Sequence, residues 1–194
     1  MGRLSGLSAY LSGPVESHPT PNTWRNKLTI ELRKFGMKIH NPLVKPEWMV
    51  QISPEEQSRW KDDLKKLNAN KETAKYNTND IKHAVNTIEF GNHLTRKFCL
   101  ALAQSADIMI VKVDKKTFTV GTWEEVCLAA NLNKPTLFIG EDIPPSMWLV
   151  DMFNAYYSLD EVFHKDETAL VEYLAGLDDG GMVSDKIRWM CLSY

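Results

Sequence analysis

Asp107-Ile108-Met109-Ile110-Val111-Lys112-Val113-Asp114 is an apolar run of strand length, and a second one, Thr136-Leu137-Phe138-Ile139, follows a short distance on. Between them, Gly121-Thr122-Trp123-Glu124-Glu125 leads into Val126, Cys127, Ala129 and Ala130, a helix-sized stretch that ends near Asn133-Lys134-Pro135. Strand, helix and strand at this separation call for a crossover connection, which joins parallel strands in a sheet covered by helices. An acidic residue in the first turn of the connecting helix then sits at the carboxyl edge of the sheet, where open α/β folds bind ligands.

The flanking segments extend this plan. Residues 7–11 alternate apolar and small side chains and stop at Gly13-Pro14, which reads as a first strand and its turn. Trp24, Leu28, Leu32 and Phe35 predict a helix from about Thr23 to Phe35, with Gly36 as its stop. Met37-Lys38-Ile39-His40 reads as a second strand ended by Asn41-Pro42. The rhythm then breaks. Ser53-Pro54-Glu55-Glu56 predicts a helix start reaching Leu67, followed by polar sequence through Asn79. Residues 43–93 are therefore expected to form a helical insertion within a single domain spanning 1–194.

A helix from about Asn86 or Asn92 to Gln104 is expected from Leu94, Phe98, Ala101 and Leu102. Pro144-Pro145 opens an edge loop containing Trp148, and Tyr156-Tyr157-Ser158 reads as the last strand. Leu170, Val171, Leu174 and Leu177 form the stripe of a closing helix that stops at Gly180-Gly181.

The 194 residues suffice for one sizeable core, and a net charge of −2 argues against a nucleic-acid polymer as partner. Cys99, Cys127 and Cys191 lack metal-ligand spacing, as do the five histidines, so no metal is expected. Gly13 lacks the further glycines of a dinucleotide fingerprint. Apolar runs no longer than strands predict no membrane span, and a cytoplasmic protein with reduced thiols is expected.

Glu125, in the first turn expected from this pattern, would be kept ionised by the helix dipole; an acid pair there can equally serve only to stabilise the helix end. Ser12 and Gly13 fall at the turn after strand one, where backbone amides approach a sugar or phosphate. Asp114 ends strand three, either projecting into the cleft or starting a turn.

Tyr10-Leu11-Ser12-Gly13-Pro14, taken with Gly121-Thr122-Trp123-Glu124-Glu125 and the spacing from Glu125 to Lys134-Pro135, resembles the nucleoside 2-deoxyribosyltransferase family over residues 7–42 and 94–150. The resemblance implies a doubly wound α/β fold, five mostly parallel strands in the order 2-1-3-4-5 with helices on both faces. It implies Glu125, rather than Glu124, as the nucleophile that breaks an N-glycosidic bond, with the Tyr10 hydroxyl beside it. Ser12, Gly13, Asp114, Thr119, Gly121 and Thr122 would bind the substrate. Cys99 stands where many family members carry an aspartate or asparagine, eight residues before Asp107, and a thiol cannot make a carboxylate's charge-assisted bond.

The implied activity is transfer of 2-deoxyribose between nucleobases, without cofactor or metal. Two alternatives stay open: hydrolysis of a nucleoside 5′-monophosphate, for which Thr119 stands where phosphate-reading relatives carry a hydroxyl, and non-catalytic nucleotide binding. The implied partners are a nucleoside or nucleotide and a free nucleobase. A homo-oligomer is expected, with the partly apolar tail (Ile187, Trp189, Met190, Leu192, Tyr194) near an interface.

Overall fold

The computed structural model describes residues 2–15, 21–46, 49, 59, 62, 78–113, 119–140, 147–153, 155–156, 158–182 and 188–192. Residues 1–43 and 99–194 form one compact unit and Val44–Phe98 another. In the smaller unit, Lys45 Nζ donates to Thr95 Oγ1 at 3.2 Å.

Five strands, β1 (Ser8–Ser12), β2 (Lys38–His40), β3 (Ile108–Lys112), β4 (Thr136–Ile139) and β5 (Phe163–His164), form one sheet. All are parallel, in the order β2-β1-β3-β4-β5 expected from the sequence. Tyr10 pairs with Met109 and Ser12 with Val111, which makes β1 and β3 central. The chain reverses its direction of sheet growth between these strands, so their carboxyl ends flank the crevice of a doubly wound fold.

The described α-helices are α1 (Pro21–Lys34), α2 (Thr78–Ser105), α3 (Val120–Asn131), α4 (Met147–Met152), α5 (Leu159–Val162) and α6 (Glu167–Asp178). Strand residues alternate between its two faces. Ala9, Leu11, Ile108, Ile110, Leu137 and Ile139 pack with Trp24, Leu28 and Leu32 of α1 and Leu170, Leu174 and Leu177 of α6. Tyr10, Met109, Val111 and Phe138 face the other way, toward Ala103 of α2, Val126 and Ala129 of α3, and Leu149 and Val150 of α4. Helices cover both faces, and the central strands read as near-continuous apolar runs because each side chain meets a helix.

Local chemistry fixes the junctions. Gly36 ends α1 at φ 78°, its N–H bonding the Arg33 carbonyl at 3.0 Å, and a Cβ there would lie 2.8 Å from Ser5 Oγ. Asp107 ties the entry of β3 to β1: its carboxylate accepts from Ser8 N–H and Oγ, each at 2.7 Å. Lys134 Nζ donates to the carbonyls of Gln104, at 2.5 Å, and Ala106, holding carbonyls at the C-terminal end of α2 that have no partner within the helix. Asp166 caps α6, accepting from Ala169 N at 2.8 Å.

Four expectations need correction, the first being the edge loop expected to contain Trp148, which instead lies in helix α4. The last strand is Phe163–His164, not Tyr156-Tyr157-Ser158. Tyr156 lies in an exposed turn, its hydroxyl on Asp151, and Ser158 precedes α5, so Tyr156 marks surface rather than sheet, and Tyr157 lies outside the described residues. Helix α2 begins at Thr78 rather than near Asn86 or Asn92, since Ile81, Ala84, Val85 and Ile88 continue the helical spacing through polar sequence. In the expected interface tail, Trp189 is 1% exposed within this chain's own core, donating from Nε1 to Tyr173 Oη at 3.1 Å. Ile187, Tyr194 and Pro144-Pro145 lie outside the described residues, as does the Ser53–Leu67 segment apart from Arg59 and Asp62, both helical. Among the described residues no helix is long and apolar enough to cross a membrane.

Candidate active site

Tyr10 and Ser12 are two apart on β1, so both point to the α3 face of the sheet at its carboxyl edge. On α3, the buried residues Thr122, Glu125, Val126 and Ala129 recur at helical spacing and face the strand. The two elements meet at one carboxylate. Tyr10 Oη donates to Glu125 Oε1 at 2.7 Å, and Ser12 Oγ donates to Oε2. Glu124, turned about 100° around the helix axis, is only half-buried.

The electrostatics of Glu125 differ from the sequence expectation. Helix α3 begins at Val120 with Thr119 at its N-cap, which puts Glu125 in the second turn, where the helix dipole has largely faded. Burial dominates instead and raises the carboxyl pKa above its ordinary 4.5. The bonds from Ser12 and Tyr10 and the charge of Arg25 oppose the rise, while Glu124 adds to it. Tyr10 is pushed strongly upward, by burial first and by the adjacent carboxylate second, so its phenol stays protonated and acts as a fixed donor.

Cys99, half-buried on α2, lies near enough to the Tyr10 hydroxyl to help hold its proton in place, which puts it beside the pair. Gly13 is buried at φ 155°, and a Cβ on it would lie 3.1 Å from the Lys112 carbonyl oxygen and 3.0 Å from the Trp24 ring. Only glycine allows β1 to leave the sheet this close to β3. Thr122 is buried beside Glu125 on α3, while Gly121 is exposed and Thr119 half-buried at the start of that helix. Asp114 lies outside the described residues.

Sequence reading missed Arg25. It is 0% exposed, and its guanidinium donates to the carbonyls of Leu11 (3.3 Å), Gly13 (2.8 Å) and Pro14 (3.4 Å) while stacking 4.5 Å over Trp24. Its position three residues before Leu28, on the stripe that includes Trp24 and Leu32, was the available signal: a charge inside an apolar helix face. Across β3, Lys112 pairs with Glu167 at 2.5 Å, closing the opposite side of the same sheet edge. Among the described residues, no group of three or more His, Cys, Asp or Glu side chains could hold a metal ion.

No protein-family model and no curated protein matches the chain. Among solved structures it is similar to a 2-deoxyribosyltransferase from Bacillus psychrosaccharolyticus, with a TM-score of 0.52 and 17% identity over 88% of this chain and 95% of that one. It is also similar to a conserved protein from Enterococcus faecalis V583, with a TM-score of 0.46 and 13% identity over 87% of this chain and 97% of that one. The first likeness establishes a shared fold.

Proposed function

We propose that the chain is an enzyme that moves 2-deoxyribose from one nucleobase to another by double displacement through Glu125. The observation that carries this reading is the buried Glu125 carboxylate, with a donor on each oxygen, at the carboxyl edge of β1 and β3. Such a group is held in one orientation and shielded from water, as a nucleophile toward an electron-poor sugar carbon needs to be. Transfer of deoxyribose is the activity of the protein from B. psychrosaccharolyticus whose fold this chain shares.

In the first step a Glu125 oxygen bonds to the anomeric carbon as the C–N bond breaks. The bonding electrons leave with the base, which takes up a proton. In the second step a nitrogen of the incoming base attacks the same carbon and gives up its proton, balancing the one taken by the first base, and the glutamate departs as carboxylate, restoring the enzyme. Tyr10 and Ser12 steady the carboxylate before attack and after release, when it carries full charge. Thr122, Thr119 and Gly121 at the start of α3, together with Gly13, border the substrate's place, and Asp114 is assigned to substrate binding by the family resemblance alone. Cys99, beside Tyr10, tunes the base or sugar contact in place of an acid.

A second reading is favoured by one observation: Thr119 stands at the N-cap of α3 yet makes no side-chain capping bond, which leaves its hydroxyl for a ligand at a helix N-terminus. That reading is hydrolysis of a nucleoside 5′-monophosphate through the same glutamate, with water as acceptor.

Incubation with a deoxynucleoside and a different free base, followed by chromatography, tests both. Base exchange supports the transferase, and sugar or sugar phosphate with no new nucleoside supports the hydrolase. Neither product, with ligand bound, leaves a binding protein. Glu125→Ala is expected to abolish turnover while Glu124→Ala retains most of it.

A further inference from the structure

We propose that Arg25 is a positioning residue for Glu125, acting through the backbone: its guanidinium grips the carbonyls on either side of Ser12 and so sets the Ser12 hydroxyl against the carboxylate. The kinetic part of this proposal rests on the reading of Glu125 as nucleophile, and the structural part does not.

The geometry is specific. Leu11 precedes Ser12, and Gly13 and Pro14 follow it; all three carbonyls lie on one guanidinium. Gly13 and Pro14 lie beyond the end of β1, so their carbonyls are outside the regular ladder and require donors. A planar fork with five N–H groups can serve several acceptors at once, which a lysine ammonium on its flexible stem cannot do with the same fixed directions. The Trp24 face fixes the plane of the fork from the other side. Gly13, pressed on the Lys112 carbonyl, leaves the segment no room on the side of β3. Between these two constraints Ser12 has one place to be.

A buried arginine is a costly way to fill a helix stripe whose neighbours Trp24, Leu28 and Leu32 are apolar. Burial lowers its pKa to about 10, so it remains charged at neutral pH. That charge acts on the carboxyl too. The groups that bear on Glu125 among the described residues are Ser12 and Tyr10 from β1, Arg25 from α1 and Glu124 from α3, with Cys99 of α2 bearing on Tyr10. Arg25 is the cation in this set, and it opposes the upward pull of burial. One side chain thus fixes both where the Ser12 donor lies and how readily Glu125 ionises.

The test uses the whole chain as Arg25→Met and Arg25→Lys, with two readouts that need no turnover. The Glu125 carboxyl titration is followed by carbon-13 NMR in glutamate-labelled protein, assigned with Glu125→Gln, and amide hydrogen exchange is followed at Ser12 and Gly13. In Arg25→Met the titration is expected to move to higher pH and exchange at these two amides to quicken about tenfold, the worth of one net hydrogen bond. In Arg25→Lys the charge remains but the Ser12 segment is loosened, so the titration moves to higher pH by less than in Arg25→Met, while exchange quickens as in Arg25→Met. Under the transferase reading, kcat falls about 10²-fold in Arg25→Met with KM little changed, since the carboxylate is misplaced rather than the substrate unbound.

An unshifted titration with unchanged exchange in folded Arg25→Met overturns the proposal. So does exchange that quickens evenly along the whole chain, which marks a merely structural residue. Should Arg25→Met not fold, unchanged exchange at Ser12 and Gly13 in Arg25→Lys overturns it alone. A parent chain that releases no base removes the nucleophile reading, and the two readouts without turnover then decide the role of Arg25 independently.

Discussion

Tyr10 and Glu125, 115 positions apart, share a 2.7 Å hydrogen bond in which the phenol donates to one carboxylate oxygen. The bond exists because β1 and α3 present their facing residues to each other at the carboxyl edge of the sheet. Its partners have opposite needs: burial keeps the phenol protonated and favours the neutral carboxylic acid, while the bond itself favours the carboxylate. Each prediction below disturbs one part of that balance or of the frame around it.

Tyr10→Phe removes a donor without changing shape. Turnover at neutral pH is expected to fall about 10- to 100-fold, matching about 1.5–3 kcal/mol for a hydrogen bond to a charged group. Because the lost bond lowers the Glu125 pKa, the acid limb of the pH–rate profile should move to higher pH. A limb that stays in place, read from base release across pH, would show that Tyr10 does not act on the carboxylate.

Glu125 should make the fold less stable as pH rises. Its folded pKa is raised above the ordinary 4.5, so the folded state holds the proton more tightly than the unfolded state. The stabilisation is fully present below the unfolded value and is lost as pH climbs through the raised folded value. Glu125→Gln removes this dependence, and at neutral pH its Tm should exceed that of the unaltered chain by about 2–4 °C for each kcal/mol of burial cost removed. Parallel melting curves from pH 4 to pH 8 (a range of about two units either side of 6) would reveal it; equal slopes for both proteins would defeat the idea.

Gly13→Ala should destabilise by about 1–3 kcal/mol, since the added Cβ meets a backbone carbonyl that cannot swing aside and the φ is unfavourable for alanine. Activity should drop further than stability alone explains, because Ser12 is displaced with its neighbour. Urea unfolding and kcat, measured on the same preparation, separate the two effects.

Trp189→Ala should cost about 3–5 kcal/mol, as a buried aromatic in the core between the sheet and α6. Met190→Ser, at a side chain 52% exposed, should change stability by no more than about 0.5 kcal/mol. If Trp189→Ala instead altered only self-association in sedimentation, the packing of the tail on its own chain would be wrong.

The parallel sheet was legible in the sequence because it follows from local pattern and chain chirality, whereas its strand order was what the family resemblance implied. Two apolar strands joined by a helix can cross over only one way, and the runs around Ile110 and Leu137 are long enough for strands and too short for buried helices. The family resemblance, through its register from Glu125 to Lys134-Pro135, implied Glu125 over Glu124, and helix geometry lets only one of two neighbours face the strand. The short edge strand Phe163–His164 was hidden, since two residues carry no period and their pairing with β4 is a tertiary event. The start of α3 at Val120 was equally hidden, because Thr119 provides no side-chain cap to mark it. With that start misplaced, the helix dipole was credited with holding Glu125 ionised, whereas its surroundings pull the other way. Desolvation, the Tyr10 and Ser12 donors and the Arg25 grip on Leu11, Gly13 and Pro14 depend on which groups converge in space from separate elements. Sequence spacing determined which face each side chain takes along its own strand or helix; only the folded chain decided what that face meets, and so what the carboxylate can do.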